Sequence, residues 1–238
     1  SDVPLGAFLS GGLDSSAIVA LMSRNSSGPV KTFTVDFAGE GGGFSEAQYA
    51  RQVAREFDTE HHECRIDYDV VDLLPRVLWH FDEPFGNSTS VLTYLLSEYA
   101  RSHVTVALSG TGGDEAFLGY PRYLGLSLAR TYEMLPSWIR RQVVERVAGS
   151  LPESTDSGFP MDRLFKRLRR FVEGMNLPEE HRYMSWLTYF DAQGIRRLTG
   201  STNPGPELAS LIESFDHYAG RAVEDRAFYA DVKTFLPG

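Results

Sequence analysis

The stretch FLSGGLDSSAIVAL, Phe8 to Leu21, sets two glycines, three serines and one aspartate between an apolar run and a series of apolar residues at helical spacing. Upstream, VPLGAFL (Val3–Leu9) is short and apolar and stops at Ser10; downstream, SSAIVALMSR (Ser15–Arg24) carries the helical period. The stretch reads as strand, glycine-rich turn, helix. How often that unit recurs decides the fold class.

It recurs through the first half of the chain. VKTFTVDF (Val30–Phe37) is β-branched and aromatic between turn-forming SSGP and AGEGGG, which predicts a second strand. Ser45 then opens SEAQYARQVAREF, where Ser45 and Gln48 have capping-box spacing and Tyr49, Val53 and Phe57 mark one helix face. EHHECRI (Glu60–Ile66) is a third strand, and DVVDLLPRVLWHF a helix with Pro75 at a kink or in its first turn. STSVLTYLLSEYARS (Ser88–Ser102) has a serine cap and an apolar face of Leu92, Leu95, Leu96 and Tyr99. It feeds VTVALSG (Val104–Gly110), whose near-continuous apolar character predicts a strand buried on both faces of a parallel sheet. Four alternations predict an α/β fold: a parallel twisted sheet with helices on both faces and right-handed crossovers.

After about Gly119 the pattern becomes helical. YLGLSLARTYEMLPSWIRRQVVERVAGSL, RLFKRLRRFVEGM, EEHRYMSWLTYF and PELASLIESFDHY all read as helix, with PESTDSGFPMD as a loop and RAFYADVKTFLPG last. No strand pattern interrupts them. The expected organisation is an α/β core over 1–122 and a helix-rich portion of the same domain over 123–238.

Composition narrows the function classes. Of 238 residues, 42% are hydrophobic and 23% charged, values that exclude disorder and fibrous repeats. The net charge of -9 removes the attraction with which duplex-binding proteins collect phosphate contacts, so no nucleic-acid partner is expected. One cysteine, Cys64, permits neither an internal disulfide nor a cysteine-based zinc site and fits a reducing cytoplasm. No apolar run is long enough for a membrane span, and the N-terminus lacks a signal core.

In open α/β sheets ligands bind beyond the carboxyl ends of strands, where strand order reverses. Two strand ends here are unusual: SGGLDSS (Ser10–Ser16) after the first and SGTGGDE (Ser109–Glu115) after the fourth. Glycines let backbone N–H groups surround an anion, the following helix N-terminus adds positive charge, and serine hydroxyls can donate to phosphate oxygens. An aspartate within such a loop repels phosphate unless a divalent cation lies between. Asp14 and Asp114 could supply oxygen ligands to Mg²⁺. Taken singly, each loop could equally be a tight turn followed by a helix cap; the matched pair points to a nucleotide.

Competing motifs fail. A Walker A loop needs a lysine, and none lies between Ser1 and Val30. GTGGDE and GEGGGF both lack the last glycine of the dinucleotide fingerprint. A nucleophile elbow needs glycine two residues before serine, where Phe8 and Ala107 stand. The serines read as phosphate ligands rather than nucleophiles.

SGGLDSS resembles the pyrophosphate-binding loop of the ATP-pyrophosphatases. Together with TFTVDF, DEPFGNSTS and SGTGGDEAFLGYPRY it is similar to the synthetase domain of glutamine-dependent asparagine synthetases, which have an adenine nucleotide α-hydrolase-like fold. The resemblance implies that a carboxylate attacks the α-phosphate of ATP, giving an acyl-adenylate and Mg-pyrophosphate, and that ammonia then displaces AMP to form an amide. It implies that Ser10, Gly11, Gly12, Asp14, Ser15 and Ser16 hold the pyrophosphate, and that Leu9, Val35, Ser109 and Gly110 contact adenine and ribose. It also implies that Asp14 and Asp114 carry magnesium and catalysis, and that Glu83, Thr111 and Glu115 lie toward the amino-acid substrate. Its partners would be a small carboxylate and ammonia, with a glutaminase domain N-terminal to this one and room for a homodimer.

Departures from the family pattern are equally specific. Thr111 stands where many asparagine synthetases have an acidic residue and β-lactam-forming synthetases vary it, and Asn87 stands where a related subgroup has aspartate. Residue 1 is Ser1 rather than a catalytic N-terminal cysteine. YADVKTFLPG resembles the segment before the family's Lys/Arg-bearing catalytic helix, so the chain is expected to be an excised domain that binds ATP and turns over poorly without that cation.

Lesser candidates remain. His61, His62 and Glu63 suggest a metal site, although on a strand only His61 and Glu63 share a face. Lys166, Arg167, Arg169 and Arg170 form a basic cluster that reads as a phosphate or carrier contact or as a solvated helix face. Asp82 and Glu83 could line the acceptor pocket or cap a loop. At the level of function, the alternatives are an intramolecular amide-closing synthetase, a tRNA-modifying ATP-pyrophosphatase, disfavoured by acidity, and a nucleotide-binding module without catalysis.

Overall fold

The computed structural model describes residues 1–37, 46–66, 70–81, 86–87, 89–144, 146, 150, 160–188, 190, 192–200, 206–218 and 221–236. The chain divides into two compact units, Ser1–Thr111 and Gly112–Gly238.

The first unit is built on four strands, β1 (Leu5–Phe8), β2 (Lys31–Phe37), β3 (Glu60–Ile66) and β4 (Val106–Leu108), all parallel in the order β3-β2-β1-β4. Helices α1 (Leu13–Asn25), α2 (Ala47–Glu56), α3 (Val70–Phe81) and α4 (Thr89–Arg101) connect them. Side chains alternate across a strand, and β1 follows that rule. Ala7 and Leu9 pack with Val19 of α1 and with Ala50 and Ala54 of α2, whereas Phe8 lies with Phe33, Leu96, Tyr99 and Ala100 in a cluster that includes residues of α4. The expected parallel sheet, covered on both faces, is therefore observed.

Two local expectations change and a third narrows. Strand β4 is one of the two edges of the described sheet and is not buried on both faces: Val106 and Leu108 are 43% and 39% exposed. Its apolar sequence cannot reveal which strand has a neighbour on only one side. In α2 the buried face is Ala47, Ala50 and Ala54, with Val53 and Phe57 partly buried, while Tyr49 is 53% exposed. The reason is close backbone contact beside Ala50, described below. Pro75 sits inside α3, beyond its first turn, which removes the first-turn alternative and leaves the other. The predicted Ser45 and Ser88 caps lie outside the described residues. The start of α4 is instead bonded by Asn87, whose side-chain oxygen accepts from Thr89 N at 3.1 Å and whose carbonyl accepts from Ser90 N and Oγ.

The second unit is helical, and no strand occurs among its described residues: α5 (Gly113–Phe117), α6 (Pro121–Glu133), α7 (Ser137–Ile139), a π-helical turn (Arg140–Val144), α8 (Pro160–Met175), α9 (Glu179–Leu187), α10 (Ala192–Thr199), α11 (Pro206–Asp216), α12 (Val223–Ala230) and a second π-helical turn (Asp231–Phe235). Tyr123 and Leu126 of α6, Tyr183 and Met184 of α9, Phe215 of α11 and Ala227 of α12 form its main core. Two members of the basic cluster on α8 hold the fold. Arg170 donates to the carbonyls of Ser185 and Thr188 at the end of α9, and Arg169 pairs with Glu173 one turn on.

Candidate nucleotide site

Chain order and strand order disagree at one place: β1, β2 and β3 run outward in sequence, and β4 returns to the other side of β1. Leu5, Gly6 and Ala7 pair with Val106, Ala107 and Leu108. The two glycine-rich loops thus leave neighbouring strands at their carboxyl ends, on either side of the reversal, which is where open α/β sheets bind ligands.

The first loop is tightly bonded to itself. Leu9 is buried and donates to Phe33 O at 2.8 Å, carrying the β1–β2 ladder to its end. Gly11 takes a left-handed φ of +79°, and a β-carbon there would lie 2.5 Å from Tyr49 Cβ and 2.6 Å from Ala50 N, so the loop rests directly on the α2 backbone. Ser10 and Ser15 hydroxyls meet at 3.0 Å, Gly12 N donates to Ser10 Oγ at 3.2 Å, and Ser16 Oγ donates to Gly12 O at 2.6 Å. The first backbone bond of α1 is Ser16 N to Gly12 O, and no side chain caps the helix among the described residues. The N–H groups of Leu13, Asp14 and Ser15 precede that bond and form the donor-bearing end of α1, with half-buried Asp14 in the same turn.

The second loop closes on the first. A β-carbon on Gly110 would lie 2.7 Å from Ser15 N and 3.1 Å from Asp14 C, leaving room only for glycine where the β4 loop crosses the start of α1. Ser109 and Thr111 hydroxyls meet at 2.7 Å, and Thr111 N donates to Ser109 Oγ at 3.1 Å. Thr111 thereby presents a hydroxyl in a bonded turn, where the family pattern often has a carboxylate.

Within the second unit the loop continues through Gly112, at φ +93°, into α5 and ends at Leu118, at φ +59°. A five-residue helix held between two left-handed residues carries Asp114 and Glu115 in its first turn. Gly119 donates to Asp114 O at 3.0 Å, and a β-carbon on Gly119 would fall 2.0 Å from Asp114 Oδ1. The Asp114 carboxylate therefore occupies the space that any side chain at 119 would take. Glu115 is 3% exposed and accepts from the Tyr120 hydroxyl at 2.5 Å. Burial, reinforced by that bond and by the Glu115 charge, raises the Tyr120 pKa, so the phenol remains a donor.

Of the other sequence candidates, Val35 is half-buried in β2 opposite Cys64 of β3, and Glu83, like Asp82, lies outside the described residues. His61 and Glu63 do share a face, 3.8 Å apart, but Arg51 of α2 grips both Glu63 oxygens at 2.6 Å, and no group of three or more metal-ligating side chains occurs among the described residues. Sequence reasoning missed Gly119, Tyr120, Arg122 and Asp231. GYPRY was visible as a motif, but the partners that give it meaning lie 109 residues away at Asp231.

The family model described as asparagine synthase matches residues 1–238, the whole chain. The chain belongs to the asparagine synthase family. It is similar to asparagine synthetase [glutamine-hydrolyzing] 1 of Bacillus subtilis (strain 168), 31% identical over 240 residues, covering 100% of this chain and 36% of that protein. It is also similar to a putative asparagine synthetase [glutamine-hydrolyzing] 2 of Methanocaldococcus jannaschii, 42% identical over 142 residues, covering 59% of this chain and 27% of the relative. A putative asparagine synthetase [glutamine-hydrolyzing] of Mycobacterium bovis is 40% identical over 154 residues, covering 64% and 23%. The chain thus spans little more than a third of the length of the first of these curated relatives. No helix among the described residues is long and apolar enough to cross a membrane.

Proposed function

We propose that the chain is the synthetase part of an ATP-dependent ligase that converts aspartate to asparagine, with 1–122 as its nucleotide-binding core and 123–238 as the helical portion that completes it. The aspartate β-carboxylate attacks the α-phosphorus of ATP; the bond to the β-phosphate oxygen breaks, and pyrophosphate leaves. The nitrogen of ammonia then adds to the acyl carbon of β-aspartyl-AMP, loses a proton and expels AMP. Because the curated relatives carry glutamine-hydrolyzing in their names, glutamine bound by a preceding glutaminase domain is the proposed ammonia source. A reducing cytoplasm is the proposed setting, in keeping with the single cysteine, Cys64.

The observation that carries this reading is the contact of Gly110 with Ser15, which joins the two loops at the switch point. Ser10, Gly11, Gly12, Ser15 and Ser16 would bind pyrophosphate through backbone N–H groups and hydroxyls at the α1 end; the Ser10 and Ser15 hydroxyls now bond each other, that of Ser16 donates to Gly12 O, and all three would exchange those bonds for phosphate oxygens. Leu9, Val35, Ser109 and Gly110 would hold the adenosine. Thr111, Glu115 and Glu83 would orient the amino acid. Asp14 and Asp114 would hold magnesium: each offers hard carboxylate oxygens in the first turn that follows its loop, and Gly119 leaves the space that the Asp114 carboxylate fills. When bound, magnesium would neutralise charge on the leaving pyrophosphate.

The test is product analysis with Mg-ATP, aspartate and ammonia. Equal amounts of AMP and asparagine are expected, and Asp14→Asn should abolish both. ATP binding without AMP, or AMP formed only with a different carboxylate, would overturn the assignment.

A further inference from the structure

We propose that Asp231 is a positioning residue for Glu115 of α5, acting through Arg122 and Tyr120; the inference rests on the reading of Glu115 as an acceptor-site residue. Asp231 has no exposed surface. Its Oδ2 accepts from Arg122 Nη2 at 2.8 Å and Nε at 3.1 Å and from the Tyr123 and Tyr183 hydroxyls, each at 2.5 Å. Burial, followed by the Asp231 charge and hydrogen bonds, raises both tyrosine pKa values and keeps the phenols protonated as donors. The guanidinium carbon of Arg122 lies 3.6 Å from the centroid of the Tyr120 ring, and the Tyr120 hydroxyl ends on Glu115.

A buried ion pair is a poor device for stability alone, because desolvating both charges cancels much of their attraction. The surrounding core is aromatic and aliphatic, and residues of similar volume would fill the same space. What the pair supplies is a fixed place for a planar cation, and that cation fixes a ring. A second observation points the same way. Asp231 opens the π-helical turn at the end of α12, and Leu236, just beyond it, packs against Gly112, where its Cδ1 would lie 3.3 Å from an added β-carbon. The same segment therefore touches α5 at its entry, through Leu236, and at Glu115, through Arg122 and Tyr120. Local insertions of π geometry are common at functional sites.

Asp231 Oδ1 is buried without a hydrogen-bond partner among the described residues. The amide nitrogen of Asp231→Asn can take that position while its oxygen keeps the four donors, so this variant removes the charge and spares the hydrogen bonds. Tyr120→Phe removes the hydroxyl on Glu115 and keeps the ring under Arg122. Each should raise KM for aspartate about tenfold, the scale of one hydrogen bond to a charged group, with KM for ATP little changed. The double variant should be no worse than Tyr120→Phe alone, because both substitutions cut one line of contacts. Amide hydrogen exchange across 113–119 should quicken in both, independently of turnover. If the wild-type protein forms no asparagine, the functional reading fails and exchange alone decides the positioning. Arg122→Lys, which keeps the charge but loses the stacked plane, should reproduce the exchange increase if Asp231→Asn does not fold. Wild-type exchange in α5 for Tyr120→Phe and for the Asp231 or Arg122 variant, or additive effects on KM, would overturn the proposal.

Discussion

A β-carbon on Gly110 would lie 2.7 Å from the backbone nitrogen of Ser15, so the loop after β4 and the first turn of α1 meet backbone to backbone. No side chain can yield to relieve that contact, and overpacking against main chain costs about 1–3 kcal/mol. Gly110→Ala should push the loops apart, weaken ATP binding about tenfold or more, and lower the urea midpoint. Gly28→Ala, where an added β-carbon meets nothing within 4 Å, is the matched control and should leave both unchanged. Calorimetric titration with Mg-ATP checks the first effect. Wild-type affinity in Gly110→Ala would show that the two loops do not form one site.

Gly119 governs Asp114 in the same steric manner. Its missing β-carbon would fall 2.0 Å from Asp114 Oδ1, and the carboxylate must rotate away if alanine is introduced. Gly119→Ala is therefore expected to raise the Mg²⁺ concentration required for half-maximal ATP binding about tenfold, the scale on which displaced supporting groups affect metal affinity. Binding of ATP without metal should be unchanged. An unaltered Mg²⁺ requirement would exclude Asp114 as a ligand.

The strand, turn and helix succession was legible because its signals are local: apolar period, β-branching and turn residues act within a few positions. The four strands and the two glycine-rich loops after the first and fourth follow from such signals, and the alternation with helices predicts parallel pairing; that β4 pairs with β1, which puts both loops at the reversal, does not. What was not legible depends on residues distant in sequence. Tyr49 has the period of a core residue in α2, yet Gly11 lies against the Tyr49–Ala50 backbone, so the alanines form the buried face. Likewise, nothing near GYPRY announces that Arg122 will meet a buried aspartate at position 231.

Gly11 itself tests that account. With φ +79° and a would-be β-carbon 2.6 Å from both Ala50 N and Tyr49 C, Gly11→Ala combines left-handed strain with a main-chain clash. A loss of about 2–4 kcal/mol is expected in urea unfolding. Adding Tyr49→Ala should not restore stability, because the nearest obstacles include backbone atoms. Recovery in the double variant would show that the exposed tyrosine side chain, rather than the close approach of α2, demands glycine at this position.

Acid sensitivity should separate into two windows set by neighbouring residues of β3. His61 bonds through Nδ1 to Thr32 Oγ1 at 2.9 Å, and its buried Nε2 has no hydrogen-bond partner among the described residues, 3.8 Å from Glu63 Oε1. Burial depresses the His61 pKa; the Glu63 charge opposes this, and His62 and Arg51 reinforce it. The hydrogen bond from Arg51 depresses that of Glu63, with burial opposing and the positive charge assisting. Both groups therefore bind protons more weakly in the folded chain than in the unfolded one, and stability is lost as pH falls. For His61 the loss begins near the ordinary histidine value of 6.5, and for Glu63 below the carboxylate value of 4.5. Urea midpoints measured from pH 8 to pH 3 should show both limbs in the wild type. His61→Gln should flatten the upper limb and leave the lower one, and Glu63→Gln should do the reverse. If His61→Gln kept the wild-type slope between pH 7 and 5, the buried imidazole would not be the group that gains a proton on unfolding.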